Sequence, residues 1–225
     1  FNKKFFQIMN TVVLSEQFSL VNTWINELRN VDVQHDRMRF RRNMERIGEI
    51  AAFEISKGLE QKEIQIQTPL DVIKTKEIAV QPIITTILRA GVPLFQGVLN
   101  YFDRADCGFV AAYRKHDAND YFSIKQDYLT CPNIDGRPLI VADPMLATGA
   151  SLIEAIKDLL MNGKPTQLHI IAAIASKQGV ETIEKAYPDA KIWVGAIDEN
   201  LTSKGYITPG LGDAGDLSYG EKLQR

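Results

Sequence analysis

From residue 81 onward, short apolar runs rich in β-branched residues alternate with segments of helical periodicity. The runs span residues 81–88, 108–113, 137–142, 168–174 and 192–196, and the helical segments span residues 92–102, 151–161 and 179–187. Such an alternation is typical of an α/β fold in which helices flank a mostly parallel sheet. Ligands bind at the carboxyl ends of parallel strands, so we expect function in the loops after Leu88, Tyr113, Ala142 and Ala196.

The first 80 residues follow a different pattern. Residues 34–57 combine five arginines with apolar residues at helical spacing, which predicts an amphipathic helix with a basic face. A solvated face is the simpler interpretation, and contact with a ligand is the alternative. Residues 63–79 are predicted to be extended segments broken by a proline, with no long helix. We therefore expect one domain, with a helical and extended flank at 1–80, an α/β core at 81–200 and a C-terminal segment at 201–225.

Composition and charge exclude several classes of protein. The formal net charge is −2, which argues against a protein that holds nucleic acid through bulk electrostatics. Cys107 and Cys131 are the only cysteines. Without a CxxC motif or a histidine cluster, they predict neither a structural zinc site nor a disulfide framework. No apolar run approaches the roughly 18 residues that a membrane span requires.

The start of the chain carries no sign of export. Residues 5–14 are largely apolar, but polar residues at positions 7 and 10 interrupt them and spoil the apolar stretch that a signal peptide needs. The sequence begins at Phe1 rather than at a methionine, which favours a trimmed N-terminus. We expect a cytoplasmic protein.

The most informative segment is the turn that follows the third apolar run. That run delivers Asp143 at its end, and Thr148, Gly149, Ala150 and Ser151 follow just as a helix begins. Amides at a helix N-terminus, two hydroxyls and a glycine suit a phosphate monoester, and a nearby carboxylate can accept hydrogen bonds from ribose hydroxyls. The alternative is an ordinary N-cap, in which Thr148 or Ser151 caps the helix and Asp143 is a turn residue.

Four segments together resemble the phosphoribosyltransferases, and in particular their uracil-specific branch. Residues 143–149, Asp-Pro-Met-Leu-Ala-Thr-Gly, resemble the loop that binds phosphoribosyl pyrophosphate (PRPP) in this family. Three other segments agree in content and order: Ile-Leu-Arg-Ala-Gly at 87–91, Ala-Tyr-Arg at 112–114, and Gly-Tyr-Ile-Thr-Pro-Gly-Leu-Gly-Asp-Ala-Gly-Asp at 205–216. The basic helix at 37–54 is also similar to the family's N-terminal region. The resemblance covers nearly the whole chain from about residue 30.

The resemblance implies a fold, an activity and a set of site residues. The fold would be that of type I phosphoribosyltransferases, with a small hood formed by the terminal segments. The activity would be transfer of the phosphoribosyl group of PRPP to uracil, giving UMP and pyrophosphate. PRPP binding is implied for Arg89, Arg114, Asp143, Pro144, Met145, Leu146, Ala147, Thr148, Gly149, Ala150, Ser151 and Asp213. Uracil binding is implied for the backbone of Ile207, Gly212, Asp213 and Ala214. The catalytic candidates are Arg89, Arg114, Asp143 and Asp213.

The resemblance also implies cofactors and partners. Mg²⁺ would arrive bound to PRPP rather than in a site formed by the protein alone. A homodimer or homotetramer is expected, with GTP as an allosteric activator, whereas neither nucleic acid nor a membrane is expected as a partner. Three rival interpretations stay open: a different base in the same site, a regulator that senses nucleotides or binds RNA, and a chain that has lost activity.

Several residues keep two interpretations. Arg89 and Arg114 each follow an apolar run and should lie at the ligand edge of the sheet, where arginine suits pyrophosphate, although an isolated arginine is usually a surface residue. Asp213 and Asp216 are either site residues or loop-forming residues, and we adopt the second interpretation for Asp216. Residues 210–215 satisfy GxGxxG, but no strand directly precedes them and only ten residues follow. They therefore predict a close-approach loop rather than a dinucleotide-binding motif.

Three further features need a structural test. The family's loop reads Thr-Gly-Gly where this chain has Ala150 at the second glycine position, which puts phosphate affinity in question. A positive φ would strain an alanine there by about 1 kcal/mol or more, so we predict that Ala150 already lies in the first helical turn. His169, on a predicted buried strand, is expected to be structural. Residues 116–120 are predicted to form an exposed hairpin or arm.

Overall fold

The computed structural model describes residues 10–116 and 122–222, with only the backbone of the strands described within 112–127. In chain order the elements are β1 (Thr11–Val13), α1 (Leu20–Arg29), α2 (Arg37–Ser56), β2 (Gln61–Gln67), β3 (Val72–Ile78), β4 (Ile83–Leu88), α3 (Val92–Tyr101), β5 (Asp106–His116), β6 (Phe122–Thr130), β7 (Pro138–Ala142), β8 (Met145–Leu146), α4 (Ala150–Leu159), β9 (Gln167–Ser176), α5 (Lys177–Ala186), β10 (Lys191–Asp198), β11 (Asn200–Leu201), β12 (Ile207–Thr208) and α6 (Ala214–Tyr219). Among these helices, none combines the length and the apolar character needed to cross a bilayer.

One sheet of eight strands organises the chain. Its order is β1-β10-β9-β7-β4-β5-β6, with the short β8 also paired to β9. All of these pairs are parallel except β5 with β6. The predicted α/β fold with a mostly parallel sheet is confirmed. Because β4, β7, β9 and β10 run in the same direction, their carboxyl ends meet at one edge of the sheet.

The two faces of the sheet carry separate hydrophobic cores. On one face, α1, α2 and α3 contribute buried side chains such as those of Ile25, Ile47 and Leu94. On the other face, α4 and α5 contribute buried side chains such as those of Ile156 and Ile183. Strand β7 is buried at every residue because helices cover both faces. This double burial explains why the central strands appear in the sequence as continuous apolar runs.

The terminal segments meet on the α2 side of the sheet. Ile207, Leu211 and Ala214 from the C-terminal segment join the core that α1 and α2 form. Arg41 of α2 donates a 2.7 Å hydrogen bond to the carbonyl oxygen of Ser218 in α6. The small hood expected from the terminal segments is therefore present.

The structure extends the predicted elements and adds others. Helix α1 escaped prediction because its N-terminus pairs Ser19 with Asn22, where the usual capping box has a Glu or Gln. Strands β1 and β6, at the two ends of the sheet order, were also missed. After the GxGxxG segment the described residues, which end at 222, hold only the short helix α6, with Asp213 as its N-cap, and no second strand, in line with the prediction against a dinucleotide-binding motif.

Helix α2 matches the basic amphipathic helix predicted for residues 34–57. Arg37, Arg39 and Arg42 are exposed, as the solvated interpretation of this face predicts, but several of its arginines also have partners within the protein. Arg39 pairs with Glu27 at 3.1 Å, and Arg42 pairs with Glu45 at 2.6 Å. The Arg46 guanidinium lies over the Trp24 ring, 5.7 Å from its centroid. The arginines of this face therefore form ion pairs with α1 and within α2, and one of them packs on a tryptophan of α1. Arg41 contacts α6.

Strands β2 and β3 form an antiparallel hairpin outside the main sheet, as the extended pattern of residues 63–79 predicts. Thr68 closes its turn, accepting hydrogen bonds from the backbone N–H groups of Leu70 and Asp71. Apolar side chains on the hairpin remain exposed, including those of Ile66, Leu70 and Ile73.

His169 is buried in β9, and its role is structural as predicted. Its side chain is 1% exposed and contacts Gln167 at 2.9 Å and the Trp193 indole nitrogen at 3.2 Å. Burial, together with a smaller effect of the nearby Lys191, lowers the pKa of His169 from 6.5 to about 4.

We expect this burial to make the protein sensitive to acid. The unfolded chain binds a proton at His169 below pH 6.5, whereas the folded chain binds it only near pH 4. Stability contributed by neutral His169 is therefore complete above pH 6.5 and falls as the pH drops toward 4, by about 3 kcal/mol in total. Denaturant unfolding of wild type and His169→Asn across this range should show a shallower pH dependence for the variant. Equal slopes would contradict the prediction.

Candidate functional site

The loops after β4 and β7 lie side by side at the carboxyl edge of the sheet. Thr86 in β4 pairs with Ala142 in β7, and its hydroxyl donates to the Ala142 carbonyl oxygen at 2.9 Å. A Cβ on Gly91 would lie 2.8 Å from that same oxygen, so only glycine allows the loop to approach this closely. Asp143, half-buried, follows Ala142 directly. The structure thus brings Asp143 close to the loop that carries Arg89.

The turn before α4 leaves the helix N-terminus without a side-chain cap. The N-cap residue is Gly149, with φ of +83°, and no side chain accepts a hydrogen bond in the capping position. Thr148, one residue before the N-cap, accepts a long hydrogen bond of 3.4 Å from the backbone N–H of Ala150. The ordinary N-cap alternative, with Thr148 or Ser151 as the cap, is therefore not what the structure adopts. Backbone amides at the positive end of a helix dipole suit an anion.

The start of helix α5 packs against this turn and holds it in place. The Ser176 hydroxyl donates to the Ala147 carbonyl oxygen at 2.6 Å and accepts from the backbone N–H of Gly179 at 2.8 Å. Gly179 is so close that a Cβ there would overlap the Ala147 carbonyl oxygen. Sequence reasoning missed both residues, because their contact with the turn depends on the pairing of β8 with β9.

Ala150 is the first residue of α4, which confirms its predicted place in the first helical turn. The helical conformation carries no strain for alanine, and the positive φ falls on Gly149 instead. For the PRPP binding that the resemblance implies, we therefore expect Ala150→Gly to leave the KM within about twofold of wild type, with a stability loss below about 1 kcal/mol. Steady-state kinetics and thermal unfolding measure both effects. A large gain in PRPP affinity would show that alanine impairs the loop.

Arg89 joins the β4 loop to the C-terminal segment. It directly follows β4, as predicted, and donates to the Asp216 carboxylate at 3.0 Å and to the Gly220 carbonyl oxygen at 2.7 Å. A Cβ on Gly215 would lie 3.6 Å from the Cβ of Ala90, so α6 rests against this loop. The interpretation of Asp216 as a loop residue was wrong: it lies in the first turn of α6 and forms an ion pair with Arg89.

Asp213 lies beside Arg89 and Asp216 with its carboxylate already bound within the protein. It accepts a hydrogen bond from the backbone N–H of Asp216 at 3.0 Å and from Lys222 at 2.6 Å. Burial alone would raise the pKa of Asp213, but the hydrogen bonds from Lys222 and Asp216 outweigh burial and lower it below its usual value. Asp213 is therefore a carboxylate at neutral pH, and the same contact raises the pKa of Lys222.

The residues expected to contact uracil lie along one folded segment. Ile207 is buried in β12, Gly212 is exposed with φ of +96°, and Ala214 is the buried first residue of α6. The same segment reaches the turn before α4, since a Cβ on Gly205 would lie 3.7 Å from the Thr148 methyl group. The C-terminal segment therefore spans the space between the β4 loop and the turn at Thr148.

Arg114 lies within β5 rather than in a loop after it, which corrects the predicted end of that strand at Tyr113. Strand β5 continues to His116, and Arg114 pairs with Ile124 of β6. Leu88, the last residue of β4, pairs with Ala111 of β5. Arg114 therefore lies three residues beyond the point at which β4 ends. The backbone of His116 pairs with Phe122, and the rest of the arm predicted at 116–120 lies outside the described residues.

Comparisons with known proteins identify the family that the chain matches over most of its length. A family model for uracil phosphoribosyltransferase matches residues 15–220. A protein named uracil phosphoribosyltransferase from Porphyromonas gingivalis is 46% identical over 216 residues, covering 96% of this chain and all of the relative. One with the same name from Thermococcus gammatolerans is 38% identical over 205 residues, covering 89% of each chain. The solved structure of the AQ2163 protein from Aquifex aeolicus superimposes with a TM-score of 0.83 at 28% identity, covering 95% of this chain and all of that one.

Proposed function

Because the chain belongs to the uracil phosphoribosyltransferase family, we propose that it transfers the phosphoribosyl group of PRPP to uracil, forming UMP and pyrophosphate. The observation that carries the proposal is the meeting of three separate segments at one edge of the sheet. Arg89 is bound to Asp216 of the C-terminal segment, Gly91 lies against the end of β7 beside Asp143, and Gly205 lies against Thr148. A substrate with a phosphate, a sugar and a pyrophosphate requires such an extended arrangement.

The turn from Asp143 to Ser151 is proposed to hold the 5′-phosphate and the ribose. The backbone amides at the start of α4, with the hydroxyls of Thr148 and Ser151, would bind the phosphate. Asp143 would accept hydrogen bonds from the ribose hydroxyls. Between them, the backbone of Pro144, Met145, Leu146 and Ala147 would shape the turn. Support comes from the Ser176 and Gly179 contacts, which hold this turn in place before any ligand arrives.

Arg89 and Arg114 are proposed to bind the pyrophosphate. Arginine offers a permanently charged planar fork that suits phosphate oxygens. The Arg89 side chain is 40% exposed, and one of its hydrogen bonds goes to a backbone carbonyl, that of Gly220. Pyrophosphate binding would exchange that neutral acceptor for a charged one. Asp213 is also proposed to lie next to PRPP, with Lys222 as its present partner.

Uracil recognition is proposed for the backbone of Ile207, Gly212, Asp213 and Ala214. Backbone amides and carbonyls distinguish uracil from cytosine through the donor or acceptor character at N3 and at the 4-position. A wrong base would leave polar groups unpaired, which supports strong discrimination. The single domain would then have three parts: a flank at 1–80, a core at 81–200 that binds PRPP, and a segment at 201–225 that recognises the base.

The proposed chemistry needs no side-chain nucleophile. The bond from C1 of the ribose to pyrophosphate breaks largely before the bond from C1 to N1 of uracil forms, so positive charge develops on the sugar. As the new bond forms, N1 loses its proton to the departing pyrophosphate or to solvent. Two tasks remain for the protein: Arg89 and Arg114 stabilise the charge on the departing pyrophosphate, and the C-terminal segment aligns uracil beneath C1. A positioned nucleophile and a stabilised leaving group account for most of the acceleration.

Magnesium is proposed to enter with PRPP. Within the described ranges, no group of three or more His, Cys, Asp or Glu residues is arranged to hold a metal ion. Mg²⁺ typically binds substrate phosphates together with one or two carboxylates and several waters, so the phosphates of PRPP would supply most of its ligands. Bound there, the ion would neutralise part of the charge on the pyrophosphate.

A homodimer or homotetramer is proposed as the assembly. The hairpin of β2 and β3 supports it, because Leu70 is 96% exposed and Ile66 and Ile73 are also exposed on a segment outside the main sheet. Light scattering coupled to size-exclusion chromatography measures the assembly. Activation by GTP and location in the cytoplasm remain predictions from the resemblance.

The deciding experiment is UMP formation from uracil, PRPP and Mg²⁺, with cytosine and hypoxanthine as competing bases. We expect UMP alone. Product from another base would assign a different specificity to the same site. If the folded protein gives no turnover and calorimetry detects no heat with Mg²⁺ and PRPP, the proposed function is wrong. Salt-dependent binding of RNA without turnover would instead favour the regulator.

A further inference from the structure

An ion pair outside the proposed substrate contacts anchors the C-terminal segment. Arg29, the last residue of α1, donates to both carboxylate oxygens of Asp198, the last residue of β10, at 2.8 Å each. The side chains of Arg29 and Asp198 are only 21% and 7% exposed. Two parallel hydrogen bonds between a guanidinium and a carboxylate fix both side chains in one geometry.

The same two side chains also bind both backbone polar groups of Gly210. Arg29 donates to the Gly210 carbonyl oxygen at 2.9 Å, and the Gly210 N–H donates to Asp198 at 3.0 Å. Gly210 has φ of +61°, and a Cβ there would overlap the carbonyl oxygen of Ile207. The chain therefore turns tightly at Gly210, and the ion pair sets the direction in which it continues toward Asp213.

We infer that Arg29 and Asp198 are positioning residues for uracil recognition. The inference rests on the proposed function, because the residues proposed to read uracil lie on both sides of Gly210. Backbone groups in a glycine-containing loop recognise a base edge well only when their directions are fixed before the base arrives, since ordering the loop on binding reduces affinity. Arg29 and Asp198 act through Gly210 and do not themselves touch the base.

A purely stabilising role explains this arrangement less well. A buried ion pair contributes little net stability, because removing two charges from water offsets much of their attraction. The placement of the pair matters more: it connects the end of α1, the end of β10 and the turn at Gly210 at a single point. Gln34 also contacts Arg29: its side-chain amide donates a hydrogen bond to the backbone carbonyl oxygen of Arg29 at 3.3 Å.

The test compares Arg29→Lys and Asp198→Asn with a matched variant at the opposite edge of the sheet. Lysine keeps the charge of Arg29 but not its fork, and asparagine keeps the shape of Asp198 but not its charge. The matched variant is Arg137→Lys, because Arg137 likewise binds an aspartate, Asp106, and backbone carbonyl oxygens, at 3.1 Å and 3.2 Å.

We expect both variants of the pair to raise the KM for uracil by about tenfold or more while leaving the KM for PRPP within about twofold. Hydrogen exchange of the peptide spanning 207–213 should accelerate in the same variants. Arg137→Lys should lower the melting temperature without changing either quantity. Asp198→Asn decides the question where Arg29→Lys does not fold.

Three outcomes would overturn the inference. The first is an unchanged KM for uracil in folded variants that still form UMP, which would leave the proposed function standing. The second is an equal rise in both KM values, which would indicate general loosening of the fold. The third is a wild-type protein that forms no UMP, which would remove the proposed function and this inference with it.

Discussion

Arg89→Ala is expected to lower kcat/KM for PRPP by at least about tenfold while the protein stays folded. The physical reason is the loss of a permanent charge opposite the leaving pyrophosphate, a charge that acts most strongly as negative charge develops there. The side chain is 40% exposed, so its removal leaves no cavity in the core. Steady-state kinetics with PRPP varied at saturating uracil, together with thermal unfolding, measure the two effects separately.

Two control variants separate this role from simpler ones. Arg104→Ala removes an exposed arginine after α3 and should change nothing. Asp216→Asn weakens the anchor between Arg89 and α6 but keeps the guanidinium, so kcat/KM for PRPP should fall by less than about threefold. If Asp216→Asn costs as much activity as Arg89→Ala, then Arg89 mainly holds the C-terminal segment. Unchanged kinetics in folded Arg89→Ala would refute the proposed role altogether.

The parts of the fold that the sequence predicted well are those whose cause is local. Strand β7 appears as a continuous apolar run because both of its faces are covered, and the turn at Gly149 appears as a glycine before a helix because it requires φ of +83°. The conformation of Ala150 followed from the same reasoning. In each case a short stretch of chain contains the physical reason for its own structure.

The parts that escaped prediction depend on contacts between distant residues. Asp198 lies 169 positions from Arg29 in the sequence, and Gly210 lies 181 positions from it. Nothing near Arg29 in the sequence indicates either contact. Asp216 is another example, because its partner, Arg89, lies 127 residues away and no neighbouring residue indicates the ion pair. The resemblance to a family indicated where substrates bind, but it did not indicate which side chains hold those segments in position.

Gly179→Ala is expected to damage the proposed phosphate site although Gly179 lies outside the turn itself. A Cβ on Gly179 would overlap the Ala147 carbonyl oxygen and lie 2.7 Å from that of Leu146. Both are backbone atoms, so the turn must move away from α5. That movement would also lengthen the 2.6 Å hydrogen bond from Ser176 to Ala147. We expect a stability loss of about 2 kcal/mol and at least about a tenfold loss in PRPP affinity.

A control variant at another tightly packed glycine distinguishes damage to the site from general destabilisation. Gly97 in α3 packs against α2, where a Cβ would overlap the Glu45 carbonyl oxygen, so Gly97→Ala should destabilise the protein to a similar extent. It is remote from the turn, and calorimetry below the unfolding transition should give a PRPP affinity close to wild type. Gly58→Ala, whose Cβ would meet no atom closer than 3.6 Å, should be neutral in both measurements. If Gly179→Ala and Gly97→Ala weaken PRPP binding equally, the turn does not depend on its contact with α5, and its geometry must then be set by the strand and helix that it joins.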